Sequence, residues 1–217
     1  LLFVPALRPD RYAKALEFME RGLALAEKTG DRGAVANALG NIGAVHYAVG
    51  DYVTALSYLE RSLKIAGEIG DEKEVLHALG NIGSAHFCLE DYRVALSFKE
   101  RVLAALEKSG DRPGIAQALG DIGSVHFRLR DYRTALSLKL RALALFEELR
   151  RRSSVAWTLL DLGSIHEALG EIPRAQSYYE RSLALAEEIG EPSRVVSALA
   201  QLADLHLDRS EPEVAVK

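Results

Sequence analysis

The sequence predicts an all-α fold: a right-handed α–α superhelix, or solenoid, of antiparallel helix pairs. Three observations predict it. The chain repeats itself every forty residues with no insertion or deletion. Each repeat holds two stretches with apolar residues at the three-to-four spacing of a buried helical stripe. Glycine and aspartate fall between the stretches, where one helix must stop and the next must start. A single helix pair cannot bury such stripes. Stacked neighbours can, which runs one core along the array, and connections this short make the paired helices antiparallel.

The elements follow in order. Residues 1–217 read as a single array, opening with the second helix of a partial repeat at 10–30. Full repeats occupy 31–70, 71–110, 111–150 and 151–190, and a partial repeat occupies 191–217. In "DYVTALSYLERSLKIAGEIG" (51–70), Tyr52, Ala55, Leu56, Leu59, Leu63 and Ile65 form the stripe of a second helix. "EVLHALGNIGSAHFCL" (74–89) gives a first helix the same period on Ala, Leu and Ile. Gly30, Gly70 and Gly110 suit the left-handed residue that ends a helix. Asp31, Asp71 and Asp111 then accept hydrogen bonds from the first amides of the next helix, as do Asp51, Asp91 and Asp131 within each pair. Pro113, Pro173, Pro192 and Pro212 fall in first turns, where a missing amide hydrogen is harmless. "RRRSS" (150–154) replaces the Gly–Asp break, so that junction is expected to be the least regular. Helix is expected over about four-fifths of the chain, far above the usual third.

Composition narrows the function classes. Apolar residues make up 48% and charged residues 27%, the balance of a folded chain. The formal charge is −4 and no long Lys/Arg block appears, so nucleic acid is not an expected partner. A single cysteine, Cys88, excludes an internal disulfide framework and fits a reducing, cytoplasmic setting. No apolar run reaches the ~18 residues of a membrane span. "LLFVPAL" at the start is too short for a signal peptide and lacks a basic region.

The pattern Ile-Gly-x-x-His followed by Ala nine residues on resembles the tetratricopeptide repeat. The matches are Ile42, Gly43, His46 and Ala55; Ile82, Gly83, His86 and Ala95; Ile122, Gly123, His126 and Ala135; and Leu162, Gly163, His166 and Ala175. The forty-residue period and the "GNIG…GDY" phrasing are similar to the long-repeat subclass of Partner-of-Inscuteable-type adaptors and of bacterial signalling proteins. The resemblance covers residues 10–217 and implies a non-catalytic protein-binding solenoid.

Three ladders recur every forty residues. The first is His46, His86, His126, His166 and His206. Equivalent positions in stacked helical layers sit about 10 Å apart, whereas zinc draws its nitrogens to about 2.0–2.1 Å from one ion. The histidines are therefore read as inter-helix packing residues, each donating one ring hydrogen to a nearby acceptor. No metal or cofactor is expected. The second ladder is Arg21, Arg61, Arg101, Arg141 and Arg181, read as a solvated outer face with weak Glu–Arg pairs. The third is the glycine pairs Gly40 and Gly43, Gly80 and Gly83, Gly120 and Gly123, each costing on the order of 1 kcal/mol inside a helix. Close packing must offset that cost. The resemblance places Gly43, Gly83 and Gly123 where the second helix approaches. It places Gly40, Gly80 and Gly120 on a concave wall, as a bare floor.

Polar and aromatic residues surround that floor at fixed offsets. They are Asn37, His77, Gln117 and Trp157; Asn41, Asn81, Asp121 and Asp161; Ser84, Ser124 and Ser164; and Tyr47, Phe87 and Phe127. Amides and hydroxyls at regular intervals can hydrogen-bond an extended peptide, and the aromatics add apolar contact. The resemblance gives Asn41 and Asn81 the peptide backbone to hold. Asp121 and Asp161 add negative charge, favouring a basic or amide-rich ligand. Arg128 joins the candidates from the cluster Arg128, Arg130 and Arg133 at one turn, while Arg150, Arg151 and Arg152 lie on the opposite rim.

Two functions stand. The chain is an interaction scaffold binding a peptide segment of a partner protein, or it is a regulatory segment of a larger signalling protein, binding an effector or docking intramolecularly. The half-units at the two ends look like cuts through a longer array, and their apolar faces offer end-to-end stacking of two chains. No nucleophile elbow, phosphate loop or metal set suggests an enzyme.

Overall fold

The computed structural model describes residues 9–208; residues 1–8 and 209–217, with Pro212 and the end of the last partial repeat, lie outside the described residues. Ten α-helices and no strand occur among the described residues. They are α1 (Pro9–Thr29), α2 (Arg32–Ala48), α3 (Tyr52–Ile69), α4 (Glu72–Cys88), α5 (Tyr92–Ser109), α6 (Arg112–Arg128), α7 (Tyr132–Glu148), α8 (Arg152–Ala168), α9 (Ile172–Ile189) and α10 (Pro192–Asp208). The chain divides within α5 into two compact units, Leu1–Ala105 and Leu106–Lys217.

The junctions explain why helices of such even length form. Gly30, Gly70, Gly110 and Gly190 adopt φ near +70° after their helices, a conformation without steric penalty only for glycine. The residue after each break then serves two helices. Asp71 donates its backbone N–H to the Ala66 carbonyl, 3.0 Å away, closing α3. Its carboxylate accepts from the Glu74 N–H at 3.0 Å, opening α4. Asp31, Asp51, Asp111 and Asp131 cap the helices that follow them in the same way.

The Arg150–Ser154 junction keeps this path despite its sequence. Arg150 takes φ 55° in place of glycine, and the Arg151 N–H still reaches the Phe146 carbonyl at 2.9 Å. What is lost is the side-chain cap: Arg151 makes none. The expected irregularity is thus confined to an uncapped helix start and a left-handed arginine.

In the first unit, Leu39 and Ile42 of α2 are fully buried, packed against Leu23 of α1 and the partly buried Tyr58 and Ile65 of α3. Full burial of one such side chain stabilises by about 1.5–3 kcal/mol. Ala55 and Leu59 of α3 continue the packing onto Ile82 of α4. In the second unit, Leu160 of α8, Ala175 and Tyr179 of α9, and Ala198 and Leu205 of α10 form the corresponding cluster. Val196 and Leu199 of α10 remain exposed, whereas Leu39 and Leu159 at the Leu199 position of earlier repeats are buried.

The histidines fill the space between paired helices. His46, His126 and His166 hold Asp51, Asp131 and Glu171 through Nδ1, at 3.2, 3.1 and 2.7 Å. The acceptor is the residue that begins the next helix. Their rings stack on second-helix aromatics: His46 on Tyr58, His86 on Phe98 and His166 on Tyr178, with planes within 9°. Arg61, Arg101 and Arg181 cover the same aromatic rings from outside. Arg61 also meets Glu27 of α1 at 3.8 Å.

A further ion-pair ladder was not read from the sequence. Arg32–Glu68, Arg112–Glu148 and Arg152–Glu188 join the start of each first helix to the end of its second. All six side chains are exposed, so each pair contributes ~0–1 kcal/mol.

Candidate functional site

The two glycine columns behave differently. An added Cβ at Gly163 would lie 2.3 Å from the Tyr179 ring, and at Gly123 3.0 Å from Lys139 Cγ. Here the second helix presses on the first, as the resemblance implied. Gly40 departs from the expected bare floor. The Glu74 carboxylate of α4 covers it, 2.2 Å from where a Cβ would sit. Glu74 is itself 6% exposed and lies 2.8 Å from the Ser62 hydroxyl. Gly80 does have open space beside it, and Gly120 meets only the Ala142 Cβ, at 4.0 Å.

The polar candidates are less available than their types suggest. Ser84, Ser124 and Ser164 donate their hydroxyl hydrogens to carbonyls of their own helix, at 3.0, 3.2 and 3.3 Å. That leaves lone pairs for anything else. The Asn37 amide donates to the Gly33 carbonyl at 3.0 Å. Asn41 is exposed and Asn81 half-buried. His77 is open to solvent, its Nδ1 4.0 Å from Glu74. Tyr47, Phe87 and Phe127 pack against Tyr52, Tyr92 and Tyr132, each with ring centres 5.5 Å apart. These aromatics clamp the turn of their own helix pair. Arg128 is exposed at the end of α6.

Five candidates come together in the second unit. Gln117, Asp121 and Ser124 of α6 and Trp157 and Asp161 of α8 line a cleft of about 270 Å³, closed by Gly120, Lys139, Phe146, Thr158 and Arg194 among others. Trp157 is 51% exposed. The Arg194 guanidinium lies over the indole, 4.9 Å from the ring centre, held there by Glu191 through Nε at 2.6 Å. The Glu191 carboxyl sits below its ordinary value because Ser153 and then Arg194 hydrogen-bond it. Gln117 donates to Asp121 at 2.9 Å.

Lys139 lines the cleft from a second-helix column that carries none of the candidates named from the sequence. It is 4% exposed, and its ammonium donates to Ser124 Oγ at 2.8 Å and to Asp161 Oδ2. Asp161 therefore does not present a bare negative charge, contrary to the expectation drawn from its column. Tyr179, two repeats on from Lys99 in the same column, makes the equivalent rung. Its hydroxyl reaches Glu167 at 2.6 Å and meets Ser164 and Gln201 at 3.2 and 3.3 Å. Burial, and then the bond to Glu167, raises its phenol pKa well above the ordinary 10.0. A signal was present in the sequence. Leu59, Lys99, Lys139 and Tyr179 share one column, and the change from leucine to lysine breaks an otherwise apolar stripe.

Among the described residues no His, Cys, Asp and Glu group could hold a metal, and no helix is long and apolar enough to cross a membrane. Comparison with protein families matches the tetratricopeptide repeat at residues 7–68, 74–148 and 154–217. A search of curated proteins finds no match. Solved structures share the fold at low identity. BtubC from P. vanneervenii is 18% identical with a TM-score of 0.77, over 90% of this chain and 83% of that one. A Rap protein complexed with Competence and Sporulation Factor is 18% identical, TM-score 0.74, over 90% of this chain and 58% of that one. A signal-transduction ATPase with a tetratricopeptide repeat sensor, from Pyrococcus horikoshii, is 17% identical, TM-score 0.80. The match covers 90% of this chain and 30% of the ATPase, so the chain spans under a third of its length.

Proposed function

The chain belongs to the tetratricopeptide-repeat family, and we propose that it is a non-catalytic interaction module that holds a peptide segment of a partner protein in the cleft of its second unit. The observation that carries this reading is that Gln117, Asp121, Ser124 and Asp161 line one cleft together with a half-exposed Trp157. A concave site with a few placed polar groups and one large aromatic is what a short segment needs: apolar area for affinity, fixed dipoles for register. Asn41 and Asn81 of the first unit are a separate candidate contact, their amides suited to a peptide backbone.

Trp157 is the sole tryptophan, so its fluorescence reports the cleft directly. Peptides selected on the full chain from a random display library should shift that emission. They should lose about tenfold or more in affinity with Trp157→Ala, and less with the Asn41→Ala, Asn81→Ala double variant. Unchanged emission, with full binding to Trp157→Ala, rules the cleft out. Loss only in the asparagine variant moves the site to the first unit.

A regulatory segment of a larger protein is the second reading. It is favoured by the sensor role named for the repeats of the Pyrococcus ATPase and by the factor bound to the Rap protein.

A further inference from the structure

The charges of the cleft limit which segment it can take, given the peptide reading above. A buried ammonium is stable only when paired, and Lys139, with its side chain 5% exposed, is paired with Asp161, 28% exposed. A ligand cation seeking Asp161 would have to displace an ammonium enclosed by the protein. Trp157 offers no better place, because one face of the indole already lies under the Arg194 guanidinium. A second cation on the ring would be repelled by the first. Each lining cation already has its carboxylate, Lys139 in Asp161 and Arg194 in Glu191, and Asp121 accepts from the Gln117 amide. What remains open is the exposed half of Trp157.

We propose that Lys139 is a specificity-determining residue: by neutralising Asp161 it makes the cleft take an uncharged peptide segment that lays an apolar side chain on Trp157, and turn away a basic one. Lys139 arises from the second helix, in the slot that Leu59 fills in the first full repeat. Leu59 packs on Gly43 as Lys139 packs on Gly123, so the slot accepts an apolar side chain.

The test is selection from the same random-peptide library on the wild-type chain and on three variants, each checked for helicity and thermal unfolding. Wild type should enrich uncharged, apolar sequences. Lys139→Met should enrich Lys and Arg, with basic peptides gaining roughly tenfold in affinity. Asp161→Asn should shift selection the opposite way, toward Asp and Glu, and the Lys139→Met, Asp161→Asn double variant should restore the wild-type preference. A merely structural role for the pair would weaken all peptides alike, without opposite shifts. Wild-type enrichment of basic peptides, or one composition across all variants, overturns the inference while leaving the cleft as the site. If wild type selects no peptide, the peptide reading falls and takes this inference with it.

Discussion

Gly80 and Gly163 both interrupt first helices, yet their surroundings set opposite consequences for one added methyl. Beside Gly80 an extra Cβ meets nothing within 4 Å, whereas at Gly163 it meets the Tyr179 ring at 2.3 Å. Gly80→Ala should therefore raise unfolding stability by about 1 kcal/mol, the intrinsic helix preference of alanine. Gly163→Ala should lower it by about 1–3 kcal/mol, since the ring must leave its place between Ser164 and Gln201. Urea unfolding of the two variants checks both signs. If Gly80→Ala is destabilising, the space beside it is not what the geometry indicates. The same residue-level logic separates Asp161 from its column: a carboxylate beside a buried lysine is half of a pair, not a free charge.

The helix starts and stops place their own demands on sequence. Glu90, Arg130 and Arg150 hold positive φ where other repeats use glycine, at a cost of about 1–2 kcal/mol for a non-glycine residue. Arg151 and Glu171 begin α8 and α9 without the side-chain cap that Asp31, Asp51, Asp71, Asp111 and Asp131 provide. Arg150→Gly should stabilise by about 1 kcal/mol, and Arg151→Asp by about 1 kcal/mol through a restored cap. The double variant should approach the sum, read as a rise in the urea midpoint. Glu171 explains its lost cap differently. Its carboxylate is turned to His166 at 2.7 Å and Arg174 at 2.9 Å, trading an amide for two cationic or ring donors.

Acid should unfold the molecule through these same carboxylates. The Thr54 and Thr134 hydrogen bonds hold Asp51 and Asp131 below their ordinary 3.8, and His166, then Arg174, hold Glu171 below 4.5. Arg152 does the same for Glu188. Folded values below unfolded ones mean that the unfolded chain takes up protons first. The stabilisation is complete above the unfolded values, near 4 to 4.5, and is lost as pH falls through the folded ones. Glu171→Gln should thus unfold at lower urea than wild type at neutral pH, with the difference closing as pH falls below 4.5. A difference independent of pH would mean that Glu171 contributes by packing alone.

The period, the helix boundaries and the inter-helix histidines were legible in the sequence because they depend on local rules: an apolar stripe, a left-handed glycine, an aspartate before a helix. Those rules act within a few residues and repeat in every unit, so one chain supplies its own comparison. Gly40 and Asp161 were misread for the converse reason. Their neighbours, Glu74 and Lys139, lie 34 and 22 positions away along the chain and belong to different columns. Only packing decides that a carboxylate from the next repeat covers Gly40, or that a lysine threads between helices to meet Asp161. The sequence alone determined which helices form and in what order. Tertiary structure alone decided which charges survive at the surface, because pairing depends on distance in space and the repeat specifies distance only along the chain.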